Sequence, residues 1–508
     1  MAHSAVAITR PWPSALSAVL VLGLTFGTLA AVFARADTTG GLGPADWAAI
    51  RFTVSQALVS AFLSVLLAIP VARALARRQF PGRGALITLL GAPFLLPVIV
   101  AVIGILAVFG RNGIVNNALG LIGQEMSIYG FHGVVLAHVF FNLPLAIRLI
   151  LQGWLAIPAE RFRLAATLNA SVWRMLEWPM LRSTVPSAFL VIFLICLTSF
   201  AVALTLGGGP RATTVELAIY QALRFDFDLG QAALLACIQF GLCVFAAAIA
   251  WRISMVDAMG AGLDRVVQRW DLGRPVVDYF WILCAALFLL VPLGMVVVRG
   301  VPGLVDLPPS IWSAALRSVL VATGSAALCV AMALSLALRG GALVAVIGVL
   351  PLAASGLVVG TGAFLIVFPF VRPADVALLV TMLVNATLAL PFALRAIAPA
   401  VAAVRDDFGR LGLSLRLTGW AWIRIVVLPR ARRPVGFAAG LAAALSMGDL
   451  GVIALFAGEA EETLPLAMYR LMGAYRMEAA AGAALVLLSL SLALFWICDR
   501  GGRANVDM

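Results

Sequence analysis

Residues 163–173 read RLAATLNASVW and residues 410–420 read RLGLSLRLTGW, a step of 247 from Arg163 to Arg410. Both stretches open Arg-Leu, carry Leu at the sixth position and close on Trp173 or Trp420. Upstream, LPLAIR (143–148) meets LPFALR (390–395) at the same step, and downstream TVELAIY (214–220) meets TLPLAMY (463–469) at a step of 249. Three matched blocks in one order mark an internal duplication. Its midpoint is the polar stretch WRISMVDAMGAGLDRVVQRWDLGRPV, 251–276.

Around these blocks the chain is apolar. Of 508 residues 63% are hydrophobic and 11% charged, a composition that places it in a membrane. A bilayer core of about 30 Å takes roughly 20 apolar residues per helical crossing. Twelve such stretches occur, near 14–34, 54–76, 85–109, 129–154, 186–206, 229–250, 278–298, 317–338, 342–370, 374–396, 434–457 and 478–498. The short alternations of a β-barrel are absent, so helices are left to satisfy the backbone in lipid. With six stretches on each side of the midpoint, both halves enter the membrane in the same sense. The expected fold is an all-α polytopic membrane protein of about 12 transmembrane helices in two parallel six-helix repeats. The expected division is a first half at 1–255 with a long polar loop near 156–185, a cytosolic linker at 256–277, and a second half at 278–508 with its loop near 397–433.

The net charge of +12 does not call for nucleic acid. All 35 basic residues are arginine, and with a cytosolic N-terminus 25 fall on cytosolic segments and 10 opposite. That is the positive-inside bias, and it puts both termini in the cytosol. The apolar run after Arg10, closing at Ala34-Arg35-Ala36, has the outline of a secretory signal. It is longer than a signal core, so a retained first helix is expected. Six cysteines lie in or at the ends of apolar spans, and three histidines (His3, His132, His138) have no ligand spacing, so no metal is expected. Without lysine the chain cannot hold a GxxxxGK[ST] phosphate loop, and it has no catalytic constellation. It is read as a non-enzyme without cofactor.

Within the first loop, Leu164, Leu168 and Val172 form a helical stripe, and Leu411 and Leu415 begin its equivalent, with arginines around both. A basic-flanked amphipathic helix either lies on the anionic inner leaflet of the membrane or docks in a partner's groove. Two copies, one per half, point to a partner that is itself two-fold symmetric.

These blocks resemble the Glu-Ala-Ala loop of ABC-importer permeases, a helix that sits in a cleft of the ATPase subunit. Arg163 and Arg410 stand at the Glu position, Leu164-Ala165 and Leu411-Gly412 at the alanines, and Asn169 and Arg416 at the glycine that bends the loop. Asn takes a left-handed turn readily and Arg poorly, so the residues predict the first bend and leave the second open. The stretch GGGPRATTVELAIYQALRFDFD (207–228), with LAATL, EWPMLR, LSMGDLGVIALF (445–456) and TLPLAMYRLMGAY (463–475), is similar to the thiamine (thiamine pyrophosphate) ABC-transporter permeases, fused two-half proteins of the iron type. The resemblance spans essentially the whole chain. It implies a type I importer fold in the bacterial inner membrane, two copies of a separate cytosolic ABC ATPase, and a periplasmic thiamine-binding protein. Leu168, Leu415, Trp173 and Trp420 join the residues above as expected ATPase contacts.

For the pathway, Asp449 is the acid well inside an apolar span. It has two readings: a carboxylate on the route of a cationic substrate, or a cap at a helix break in Gly448–Gly451. In the 247 register its counterpart is Val202. Glu216 either lines the outer mouth or is a solvated loop acid, and Arg211 and the acidic run 459–462 have similar pairs of readings. An iron(III)-type ABC permease is the nearest alternative. A secondary transporter of the major facilitator type is more distant, because ARRQFPGRGA (76–85) lacks that family's acid.

Overall fold

The computed structural model describes residues 12–37, 41–91, 96–121, 123–207, 209, 212–252, 267, 269 and 275–503. Among them every regular element is helical, and eleven helices are long and apolar enough to cross a membrane. The chain is an all-α polytopic membrane protein. The first half contains α1 (Trp12–Arg35), α2 (Pro44–Arg77), α3 (Val98–Phe109), α4 (Phe131–Leu155), α5 (Ala159–Thr167), α6 (Trp178–Leu197), α7 (Ala201–Leu206), α8 (Val215–Arg224) and α9 (Leu229–Arg252). The second contains α10 (Pro275–Gly303), α11 (Ser310–Arg339), α12 (Gly356–Val367), α13 (Ala377–Ser414), α14 (Leu428–Met447), α15 (Gly451–Phe456), α16 (Leu464–Gly473) and α17 (Met477–Arg503).

The sequence predicts twelve crossings, and the stretch that no single long helix spans is 342–370. That stretch divides into Ala342–Val349, a 3₁₀ turn at Leu350–Ala353, and α12. Pro351 has no N–H to continue the ladder. Ser355 then starts α12 afresh, its Oγ accepting the Val358 N–H at 3.1 Å. The equivalent stretch in the first half, 85–109, is likewise interrupted, with α3 beginning only after Pro97. Two further spans break near their ends at matching places. α6 stops at Leu197 and α7 starts at Ala201; α14 stops at Met447 and α15 starts at Gly451.

Two compact units emerge, and they do not run with the sequence halves. One comprises Met1–Gly41, Ile219–Phe240 and Gly303–Met508; the other comprises Leu42–Ala218 and Gly241–Pro302. Each half therefore lends its first helix to the unit built mainly by the other half. In the first unit α1 lies against α12, where Gly362 meets the Thr28 carbonyl so closely that a Cβ would collide with it. Ser17 of α1 also meets Ser335 of α11, Oγ to Oγ at 2.8 Å. In the second unit, Gly104 of α3 makes the same backbone approach to Pro292 of α10. Small residues that admit a neighbouring backbone are the usual way apolar helices pack in lipid, where no hydrophobic force drives them together. Of the expected linker 256–277, only Val267, Arg269 and 275–277 are among the described residues.

The duplication recurs in hydrogen bonds. The first amide of α8, Val215 N–H, donates to Thr53 Oγ1 of α2 at 2.8 Å. The first amide of α16, Leu464 N–H, donates to Ser318 Oγ of α11 at 2.8 Å. Each short helix is thus pinned at an otherwise orphaned N-terminal donor by a hydroxyl on the second long helix of its half.

Candidate functional site

The two loops close in the same way. At the end of α5, Leu168 N–H donates to Leu164 O at 3.0 Å, Asn169 N–H to Ala166 O at 3.2 Å, and Ala170 N–H to Ala165 O at 2.9 Å. At the end of α13, Leu415 N–H donates to Leu411 O at 3.0 Å, Arg416 N–H to Leu413 O at 3.1 Å, and Leu417 N–H to Gly412 O at 2.8 Å. This is a Schellman closure in both copies, with the left-handed residue at φ 47° (Asn169) and φ 51° (Arg416). The bend that the sequence leaves open at Arg416 is therefore formed. Paired carbonyls of the last turn supply the hydrogen bonds that hold a side-chain-bearing residue there.

The closure sets what each loop presents. Leu164, Leu168, Leu411 and Leu415 are exposed, at 57%, 68%, 53% and 59%. Arg163, Asn169, Trp173, Arg410, Arg416 and Trp420 are exposed as well, whereas Ala165 and Gly412 are buried and face inward. Each basic loop thus projects an apolar pair.

The 247 register ends at the turn. Beyond it come π-helical turns at Trp173–Glu177 and Ile423–Val427, followed by Trp178-Pro179 and Leu428-Pro429, all at a step of 250. Trp173 thus corresponds to Ile423 in the fold, and Trp420 lies earlier, in the short helix Gly419–Trp422. The same change of register makes Ser199, not Val202, the counterpart of Asp449, since α7 and α15 also stand 250 apart.

Asp449 sits at the break between α14 and α15. Its carboxylate lies against the backbone N–H groups of Gly451, Val452 and Ile453 and against the Asn385 side chain. Its Oδ2 is buried without a hydrogen-bond partner of good geometry. Asn385 Nδ2 donates to Ser446 Oγ at 3.1 Å, which is in turn 3.1 Å from Ser325 Oγ. A polar string from α11, α13 and α14 therefore leads to this carboxylate. The acid therefore sits at a helix break, close to its free amides, with Oδ2 unsatisfied. At the matching place in the other unit the groups are neutral: Asn142 Nδ2 donates to His138 O at 2.8 Å and Gln56 Nε2 to Cys196 O at 2.9 Å.

The remaining acids behave differently. Glu216 is buried (1% exposed) near the start of α8, so it is no solvated loop acid. In the run 459–462, Glu462 pairs with Arg470 at 3.0 Å, and its backbone carbonyl accepts from Arg317 at 3.2 Å. Burial pushes the Glu462 carboxyl above its ordinary range, with Arg470 and Arg317 pulling it back. Arg211 lies outside the described residues. A groove of about 680 Å³ between α2, α4 and α10, walled by Leu63, Leu67, Val135, Trp281 and Phe288 among others, contains no carboxylate and suits hydrocarbon better than a cation.

One further cluster has no signature in the sequence. Glu177, the last residue of the first π turn, has no exposed surface. Its Oε1 accepts from Arg73 Nε at 3.0 Å, Arg269 Nη2 at 2.7 Å and Trp154 Nε1 at 3.2 Å, and its Oε2 from Arg73 Nη2 at 2.5 Å. Nearby, Arg78 Nε lies 2.7 Å from Asp278 Oδ2. The available signal was an acid at 177 facing Val427 in the 250 register, which is meaningless until that register is known.

No protein-family model matches the chain. Among curated proteins, it is 40% identical over 486 residues to the thiamine transport system permease protein ThiP of Salmonella typhimurium, covering 91% of this chain and 90% of that protein. It is 38% identical over 524 residues to the protein of the same name from Brucella abortus, covering 98% and 96%. The chain belongs to the thiamine transport system permease family. A shorter part of the permease, 139 residues, is 32% identical to the sulfate transport system permease protein CysW of Synechococcus elongatus, covering 27% of this chain and 47% of that one. The two names share a transport-system permease and differ in cargo.

Proposed function

We propose that the permease is the transmembrane subunit of an ATP-binding-cassette importer and carries thiamine across the bacterial inner membrane. The observation that carries this reading is the pair of identically closed loops, each presenting two exposed leucines among arginines. A two-fold pair of ATPase subunits would take one loop each, in the cytosol, with both termini of the chain on that side. A periplasmic binding protein would deliver the substrate to the opposite face. Relatives named for thiamine transport, matched over nearly the full length, favour thiamine over iron(III) and an importer over a facilitator-type transporter.

Thiamine carries a permanently charged thiazolium ring. A carboxylate on its route with one unsatisfied oxygen offers a cation an electrostatic partner in a medium that otherwise repels charge. Asp449 is the residue we assign to that role, with Asn385 and Ser446 orienting it. The test is uptake of labelled thiamine at nanomolar concentration by cells with and without this chain, with ferric iron as the comparison. Loss of thiamine uptake alone is expected. Impaired iron uptake with thiamine unaffected would leave the importer and remove the substrate. Asp449→Asn is expected to lower thiamine uptake while the amount of inserted permease is unchanged.

A further inference from the structure

The first loop is held from behind by a buried carboxylate shared among guanidiniums. Behind the second, the described contacts are apolar ones, the Arg430 guanidinium over the Phe408 ring at 3.8 Å, and Arg405 on the Leu338 carbonyl, with no buried carboxylate among them. Around the first, Glu177 gathers groups from four segments of one compact unit. Arg73 comes from α2, with Arg77 Nη2 at 3.8 Å, and Trp154 from α4; Arg269 comes from the segment joining the two halves, and Glu177 itself from the π turn. Two of these arginines reach back to the loop. The Arg269 guanidinium lies over the Phe162 ring of α5 at 4.4 Å, and that of Arg73 over the Trp173 ring at 5.2 Å. The Arg269 side chain is 2% exposed, and Phe162 is 1% exposed. In the second copy the equivalents of Trp154, Phe162 and Glu177 are Val401, Gly409 and Val427, all buried, with Trp422 filling the space against Gly412.

A buried carboxylate shared by several guanidiniums is a directional joint. Each bond has a fixed fork geometry, and losing one leaves a charge without compensation in a poorly solvated place. Apolar contacts such as Trp422 on Gly412 have no such directional demand. We propose that Glu177 and Arg269 are positioning residues for energy coupling: together they brace the root of the first loop against α2 and α4. Motion imposed on α5 by its ATPase subunit then passes into α2 and α4 as a unit. Arg269 is in this view a working part of the first coupling joint. This inference rests on the reading of the loops as ATPase contacts and deepens it.

The experiment uses the complete transporter, permease with its ATPase subunits, in proteoliposomes, and reads thiamine uptake per ATP hydrolysed. Arg269→Gln is expected to leave the ATPase subunits bound and hydrolysing while lowering that ratio at least fivefold, with Arg269→Lys restoring part of it. Val427→Ala, at the matching place in the second copy, is expected to leave the ratio unchanged. Phe162→Leu keeps the ion network but weakens its hold on α5, so it should lower the ratio to a smaller extent. It carries the test if Arg269→Gln fails to insert. An unchanged ratio in the inserted Arg269→Gln protein, or, where that protein does not insert, in Phe162→Leu, overturns the inference, as does an equal fall in Val427→Ala. Survival of uptake in the Leu168→Asp, Leu415→Asp double variant would remove the loop reading itself, and is scored separately.

Discussion

The first loop helix is a separate nine-residue piece, whereas its counterpart is the tail of a single helix of 38 residues. The difference turns on one position. Pro158 precedes α5 and, lacking an N–H, ends the run from α4; Arg405 stands 247 residues on, inside α13, and the helix passes through it. Arg405 also donates to the Leu338 carbonyl, tying that continuous helix to α11. Yet both helices arrive at the same left-handed closure and the same exposed leucines. The presented surface was thus kept while its mounting diverged, one copy braced by an ion cluster and the other by an unbroken helix and a tryptophan.

The largest expected effect strikes what the copies share. Leu168→Asp together with Leu415→Asp puts a charge where each loop would enter its partner, at about 2 kcal/mol or more per anchor if each is an interface hot spot. Thiamine uptake is expected to vanish while membrane insertion, followed by immunoblot of washed membranes, stays normal. Next comes the mounting. Arg405→Pro gives the second copy the break of the first and removes a helical hydrogen bond, a cost of about 3 kcal/mol in a helix interior. Hydrogen exchange should show amides 405–414 losing protection, with 159–167 unaffected.

Smaller effects separate the copies further. Gly412→Ala places a methyl group where the Trp422 ring lies, and overpacking of this kind costs about 1–3 kcal/mol. It should lower the thermal midpoint of the purified permease. The smallest change is a gain. Arg416→Gly relieves a left-handed side chain, worth about 1 kcal/mol, and should slow exchange of the Leu417 amide. Asn169→Gly should change Ala170 by much less, because Asn already tolerates that conformation. Equal responses at the two turns would erase the distinction drawn between them.

Much of the site could be read from residues in order. The duplicated blocks mark both loops, and the apolar stripe picks out leucines that the fold exposes. The stripe does not continue to Val172: the helix ends at Thr167, and Val172 lies beyond the left-handed turn at Asn169. Local chemistry also foretold a turn at Asn169, where a short polar side chain suits positive φ. The same reasoning left Arg416 open, because the intrinsic cost of a left-handed arginine is set against hydrogen bonds from Arg416 and Leu417 to carbonyls several residues back. The 247 register pairs Asp449 with Val202 rather than Ser199 because three extra residues near Gly419 change the step to 250. Glu216 read equally well as a loop acid until its burial was seen.

Composition and periodicity are properties of neighbours along the chain, and they were enough to establish a helical membrane protein and to point to a repeated order of blocks along it. Hydropathy needs only a run of apolar residues, and a duplication needs only a repeated order. Which helices pack together is a matter of distance in space. The exchange of α1 and α10 between units depends on Gly362 and Gly104 each admitting a foreign backbone, and neither glycine announces its guest. The Glu177 cluster likewise joins residues 73, 154, 177 and 269, whose charges and ring mean little until folding removes water from among them. Burial turned an unremarkable glutamate into a joint, and burial is decided by the whole packed chain.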